Sequence, residues 1–439
     1  MATRRSLSLH SFIQLLLSFS LAECTVIPGK QWCAVSVPAI FQPYTGSGSG
    51  ICPPAVDDQS ADWSPWAHKP YCVTTAPRRA GDQAKKFCAY TNSRHGSRGL
   101  SLVTTPEAAA DSTVILDEYM PPYDVGEEKP FKVVEVPNKG LGVVATRHIS
   151  RYEEIMVDYA SLAVEITFAS LVPAKTGYRV LHLAVDQLAD PESILGLGKS
   201  NDLAADEIEN VLRTNAFHTI LGGMPHMALY PVVSRINHAC KPNAYTRFIP
   251  RTLSVSVGAS RDIKPGEEIT ISYVTVGQTT AERHKALKHW GFECQCDLCT
   301  SSEQEIAASD ARRREIDDLR GQAAAAYQEG KPYQALRLTR QVLGLIPSEE
   351  LFPLYSEQYE NIARIYWILG DWETGLKYAR QSLDVLREQG YLEDVRPEHL
   401  EVMVTNFRQS VGTAGRSGKG KGKMAGGGGG GGSSSQKAV

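Results

Sequence analysis

Ile236-Asn237-His238-Ala239-Cys240-Lys241-Pro242-Asn243 places a cysteine two residues beyond an Asn-His pair, and a later run, Cys294-Gln295-Cys296-Asp297-Leu298-Cys299, supplies three more thiols. Together they offer four thiolates to one metal. Zn2+ held tetrahedrally by four cysteines has no open coordination position, so such a site ties segments together and does no chemistry itself. Read alone, Cys-x-Cys-x-x-Cys is the strongest local signal here, because buried structural cysteines seldom cluster so tightly. The expected metal ligands are therefore Cys240, Cys294, Cys296 and Cys299, and the question becomes what they pin.

The segment between them bears on that question. Arg261-Asp262-Ile263-Lys264-Pro265-Gly266-Glu267-Glu268-Ile269-Thr270-Ile271-Ser272-Tyr273 runs from a Pro-Gly turn into an alternating strand that ends on a tyrosine. Upstream, Asn138-Lys139-Gly140-Leu141-Gly142-Val143-Val144 is a glycine turn feeding a β-branched strand. Each piece has an ordinary reading. Gly-x-Gly is usually a turn, a tyrosine at a strand end is usually packing, and Asn237 with His238 could be a cap or a satisfied polar pair. In this order, however, the pieces resemble a SET-domain protein-lysine methyltransferase over roughly residues 130–300. One departure is Ala239, where the family commonly has serine; the exchange of one small residue for another affects local hydrogen bonding more than the turn.

The resemblance implies an α+β fold: a β-rich SET domain over 130–275, a post-SET zinc segment over 276–302 and an α-helical, tetratricopeptide-like domain over 303–410. It implies S-adenosylmethionine as methyl donor, held by Lys139, Gly140, Leu141 and Gly142, by Asn237 and His238, and by Asn215 of Thr214-Asn215-Ala216-Phe217. Tyr273 would be the catalytic residue at the channel where amine and methyl meet, and Phe292 would cover the adenine or wall that channel. Transfer from a sulfonium to an amine is an in-line displacement that needs alignment, a dry site and a neutral amine. A lysine near pKa 10.4 is mostly charged at pH 7, so the site must favour proton loss. The layout is similar to the SET and MYND family and to fungal SET proteins without the MYND finger; no cysteine occurs between Ala145 and Asn237, where a finger would need several.

The rest of the chain sets limits. Its 439 residues, 42% hydrophobic and 22% charged, suffice for two or three domains with real cores. A net charge of -3 argues against bulk nucleic-acid binding, and no stretch reaches the length of a membrane span. Arg4 and Arg5 precede an apolar run from Phe12 to Leu21, so residues 1–22 read as a signal peptide and point to the secretory pathway; a cytoplasmic or nuclear location is the alternative if the leader is not used.

Cys24, Cys33, Cys52, Cys72 and Cys88 lie in a Pro/Gly-rich front segment over 23–106 that reads as irregular, clamped by disulfides of unknown connectivity. A helical insert is expected over about 180–222. Past Cys299, apolar residues at three and four spacing predict helices, with Tyr359 to Leu369 and Trp372 to Glu388 as a hairpin whose concave side could hold a peptide partner. Residues 411–439, with glycine from Gly426 to Gly432, cannot bury a core and are expected to lack structure. The competing function is a non-catalytic interaction module on a SET scaffold; the joint presence of Gly140, Gly142, Asn237, His238 and Tyr273 favours the enzyme.

Overall fold

The computed structural model describes residues 63–76, 83–116, 129–199, 204, 206–388 and 395–421. The expected leader, Cys24, Cys33, Cys52 and the glycine run lie outside the described residues. The strands are β1 (Tyr71–Thr74), β2 (Lys86–Asn92), β3 (Leu100–Thr104), β4 (Phe131–Val136), β5 (Gly140–Ala145), β6 (Glu154–Tyr159), β7 (Leu162–Glu165), β8 (Phe217–Leu221), β9 (Met224–Leu229), β10 (Asn237–His238), β11 (Ala244–Ile249), β12 (Ser254–Ala259) and β13 (Glu268–Ile271). They form three sheets, ordered β1-β2-β3-β7-β9-β8, β10-β13-β5-β4 and β11-β12-β6.

Position in a sheet explains each strand's sequence. β12, Ser-Val-Ser-Val-Gly-Ala, lies between two partners and is buried throughout, so small and β-branched residues fill both faces. β4 is an edge and shows water its Lys132 and Glu135. Ile155, Val143, Val257, Ile263 and Ile269 meet in one core shared by residues from all three sheets.

The helices preceding β8 are α1 (Pro106–Leu116), α2 (Phe168–Leu171), α3 (Ala174–Asp186), α4 (Glu192–Leu195) and α5 (Glu207–Asn215). α3 repeats apolar residues at helical spacing, and its Leu181, Ala184 and Val185 pack with Phe87, Val103, Leu162 and Leu229 of the six-stranded sheet. Asp206 caps α5 by accepting from the Ile208 and Glu209 amides. The helical insert therefore begins before 180 and ends at Asn215, with Phe217–Leu221 returning as a strand.

The front segment differs more from expectation. From Tyr71 on it is not irregular: β1, β2 and β3 make half of the largest sheet, and β3 runs parallel to β7. Cys72 and Cys88 sit directly opposite each other on β1 and β2 and form a disulfide.

After β13 come α6 (Thr280–Leu287) and α7 (Asp297–Thr300), then α8 (Glu303–Gln328), α9 (Pro332–Glu349), α10 (Leu354–Leu369), α11 (Trp372–Glu388) and α12 (Val395–Lys421). Gly370, at φ +73°, ends α10 as the Leu369-Gly370-Asp371-Trp372 break predicts. α12 continues past the expected boundary at 410. No helix among the described residues is long and apolar enough to cross a membrane.

The helical region docks on the β-domain through buried charge. Arg313 of α8 is 2% exposed and Glu349 of α9 is 1% exposed. Arg313 Nε donates to Glu349 Oε2 at 2.8 Å, while its other nitrogens donate to the carbonyls of Gln278 at 3.1 Å and Cys240 at 3.2 Å. Ser309 and Arg312 complete the shell of Glu349. Burial would raise this carboxyl, but the hydrogen bonds from Ser309, Arg313 and Arg312 outweigh it and hold it below the usual carboxylate range.

Candidate active site and cysteine cluster

The Asn-His pair is carried by β10, which runs parallel to β13 with Asn237 beside Thr270 and His238 beside Ile271. Buried Asn243 locks the end of the loop onto the same strand: its Oδ1 accepts from the Thr270 amide at 2.8 Å, and its Nδ2 donates to the Glu268 carbonyl at 2.9 Å. At the front, the carboxylate of buried Asp158 accepts from the Val232 and Val233 amides at 2.6 and 3.0 Å and pairs with Arg98, steadying the turn that leads into Ile236. The strand β10 is thus fixed before and after the residues of interest.

The four cysteines come together as their spacing predicts. The sulfurs of Cys240, Cys294, Cys296 and Cys299 all lie within 4.8 Å of one another. Cys240 Sγ is 3.8 Å from Cys294 Sγ and 3.5 Å from Cys299 Sγ. Zn–S bonds of about 2.3 Å at tetrahedral angles place sulfurs about 3.8 Å apart, so this donor set fits zinc. The hydrogen bond from Cys240 pulls the Cys296 thiol down, and does the same to Cys299, to about 6. Leu287 packs on the cluster, with Tyr273, Val274 and Trp290 around it.

His238 links the cluster to the tyrosine. Its Nδ1 accepts from the Tyr273 amide at 3.0 Å, and its Nε2 lies 3.4 Å from Cys240 Sγ. Burial lowers the imidazole to about 4, so at neutral pH one ring nitrogen accepts and the other donates. The ring is committed at both nitrogens and is not turned toward a ligand.

Tyr273 donates its hydroxyl to the Ile236 carbonyl at 2.7 Å. Burial, with the Glu268 charge adding to it, pushes the phenol up, so it stays neutral and cannot act as a base near pH 7. Phe292 is 37% exposed and stands 6.2 Å from the Tyr273 ring and 6.4 Å from His238; Trp290 lies 5.8 Å from Tyr273 on centroids. These rings wall the tyrosine.

The glycine turn faces Asn237. Asn237 Nδ2 donates to the Leu141 carbonyl at 3.2 Å and to Glu268 Oε1 at 2.9 Å, and its Oδ1 has no partner among the described residues. Lys139 reaches the same carboxylate, Nζ to Glu268 Oε2 at 2.6 Å. Gly140 sits at φ +74°, and a Cβ there would meet nothing within 4 Å, so this position faces open space. Gly142 is required for another reason: a Cβ there would lie 2.7 Å from Asn237 Nδ2 and 2.6 Å from Val136 Cγ2. Its closeness is to the protein's own side chains.

Asn215 ends α5; its Nδ2 donates to the carbonyls of Gly198 at 2.7 Å and Val211 at 2.9 Å, and its own carbonyl accepts from Ser234 Oγ at 3.3 Å. It is tied to the turn preceding Asn237. The oxygen of an asparagine amide whose NH2 is bonded to the glycine turn is an acceptor that suits the ammonium group of an amino-acid-bearing cofactor such as S-adenosylmethionine. Sequence reasoning named Asn237, His238, Asn215 and the glycine turn but missed Glu268, Asp158 and Arg313 as their supports, because the partners come from distant segments.

Comparison with known proteins identifies the family. The model of the SET domain family matches residues 184–274. The histone-lysine N-methyltransferase set5 of Schizosaccharomyces pombe is 32% identical over 280 residues, 60% of this chain and 79% of the relative. The N-lysine methyltransferase SMYD2-B of Danio rerio is 33% identical over 20% of each chain, and the histone-lysine N-methyltransferase SMYD3 of Homo sapiens 39% over 18% of each. This chain belongs to the SET-domain lysine methyltransferase family.

Proposed function

We propose that this protein is a protein-lysine N-methyltransferase that uses S-adenosylmethionine to methylate the side-chain amine of lysine on a protein substrate, histone or non-histone. The observation that supports the reading is the meeting of three separate segments around Asn237: the Leu141 carbonyl of the glycine turn and Glu268 of β13 both bind its amide, and the Tyr273 hydroxyl binds the carbonyl of Ile236 just before it. When bound, S-adenosylmethionine supplies an electrophilic methyl on a sulfonium.

The chain's own residues supply position and dryness. Asn237 Oδ1 would accept from the cofactor's ammonium. Neutral Tyr273, anchored on the Ile236 carbonyl, has its oxygen lone pairs left to orient the amine without holding its proton. Phe292 and Trp290 exclude water around it, which favours the uncharged amine. Zn2+ on Cys240, Cys294, Cys296 and Cys299 is structural in this reading, and it supports catalysis through His238, which holds the Tyr273 amide. The helices α8 to α12 serve as a tetratricopeptide-like platform for a peptide of the partner protein.

The test is methyl transfer from radiolabelled S-adenosylmethionine to a panel of histones and other lysine-bearing proteins. Tyr273→Phe should lower transfer by about a hundredfold or more while leaving calorimetric cofactor binding within about twofold. Undiminished transfer by the variant would contradict the assignment and return the interaction module to first place.

A further inference from the structure

Glu268 begins β13 and gives both of its carboxylate oxygens to neighbouring side chains. One carboxylate oxygen takes Asn237 Nδ2 at 2.9 Å and the other takes Lys139 Nζ at 2.6 Å, and its side chain is only 20% exposed. An asparagine amide can present either its NH2 or its oxygen to a ligand, and the two ends have opposite chemistry. Here both amide protons are spoken for, one by Glu268 and one by the Leu141 carbonyl, so only the oxygen is left for a ligand.

The Leu141 carbonyl alone would occupy one proton and leave the second able to face a cationic group, which it would repel. The packing shows how closely this arrangement is built: Gly142 lacks a Cβ where one would stand 2.7 Å from Asn237 Nδ2 and 3.1 Å from Glu268 Oε1. Lys139, in turn, neutralises the carboxylate and anchors the glycine turn to β13. The buried register of β13 beside β10 aligns the three groups.

We infer that Glu268 is a positioning residue that fixes the amide of Asn237 with its oxygen toward the cofactor, and so sets selectivity for ligands that carry an α-ammonium group. This rests on the methyltransferase reading. It extends that reading from the residues that touch the cofactor to the one that orients them. Glu268 touches neither the reacting methyl nor the substrate amine.

The experiment is calorimetric binding of two ligands, S-adenosylhomocysteine and 5′-methylthioadenosine, to the full zinc-loaded chain and to Glu268→Ala and Glu268→Gln. The two ligands share the adenosine thioether, but only the first carries the amino-acid ammonium. Glu268→Ala should weaken S-adenosylhomocysteine about tenfold or more, as expected for a hydrogen bond to a charged group, with 5′-methylthioadenosine changed less than about twofold. Glu268→Gln keeps an acceptor for Asn237 but loses the ion pair with Lys139, and its loss should be smaller and again confined to S-adenosylhomocysteine. Equal weakening of both ligands in both variants would make Glu268 merely structural, and unchanged affinity for both would remove it from the site; either result overturns the inference. Should the wild-type chain bind neither ligand, the methyltransferase reading itself fails, and this inference with it. Zinc content and melting temperature of each variant identify a misfolded Glu268→Ala, in which case the Gln variant decides by the same selectivity.

Discussion

The Cys240 loop is gripped from two sides that differ in kind. The post-SET segment reaches it through sulfur, with Cys294, Cys296 and Cys299 converging on Cys240 Sγ. The helical region reaches the same residue through its backbone, with buried Arg313 donating to the Cys240 carbonyl while Glu349 holds the guanidinium. Each grip steadies the chain that carries Asn237 and His238, but the first is a set of thiols fit to hold a metal and the second is an ion pair taken out of water. A metal clamp needs only a short motif of ligands. A buried ion pair is costly to assemble and gains its strength from having every donor and acceptor filled.

The comparison is broken most severely at the metal. Cys296→Ser removes one of four ligands, and structural zinc is worth on the order of 10 kcal/mol to small metal-dependent folds. The variant should lose its zinc, which falls from about one per chain, and melt earlier. Elemental analysis and calorimetric unfolding measure both, and retained zinc would disprove the four-thiolate site. Because His238 spans from Cys240 to the Tyr273 amide, cofactor binding and transfer should suffer along with stability.

The ion-pair side comes next. Arg313→Ala removes one of the two guanidinium partners of buried Glu349, with Arg312 and Ser309 remaining, together with the donor to the Cys240 carbonyl, and should cost about 1.5–3 kcal/mol, with zinc still bound. Chemical denaturation with zinc analysis distinguishes the two grips: a variant that loses zinc as well would show that they act as one. A smaller effect follows from acid. The Glu349 carboxyl is held below its ordinary range in the folded chain, so its contribution is complete above the unfolded pKa near 4.3 and is lost as pH falls through the lower folded value. The stability difference between wild type and Glu349→Gln, followed by denaturation from pH 7 downward, should therefore hold to about pH 5 and shrink below it.

What could be read from the sequence follows the same division. The cysteines, the Asn-His pair and the strand ending at Tyr273 were legible because each is a local pattern, and β5 and β13 lie close to where the glycine turn and the alternation put them. β1, β2 and β3 were obscured by the Pro, Gly and Ser around them; what makes them strands is pairing within a sheet completed by β7, β9 and β8. Glu268 stood inside a quoted motif, yet nothing in the motif says that its oxygens serve Lys139 and Asn237. Arg313 and Glu349 read as ordinary charges on amphipathic helices, and only the docking of α8 and α9 on the Cys240 loop buries them. Gly142 stood inside the quoted turn, yet nothing in that motif says that a Cβ there would strike Asn237 and Val136.

The most direct test of the account is calorimetric titration of S-adenosylmethionine into the purified, zinc-loaded chain, with Asn237→Ala and Tyr273→Phe alongside. The account predicts affinity in the micromolar range, of order 8 kcal/mol, lost in Asn237→Ala and kept in Tyr273→Phe. A well-folded, zinc-loaded chain that binds no S-adenosylmethionine would contradict it.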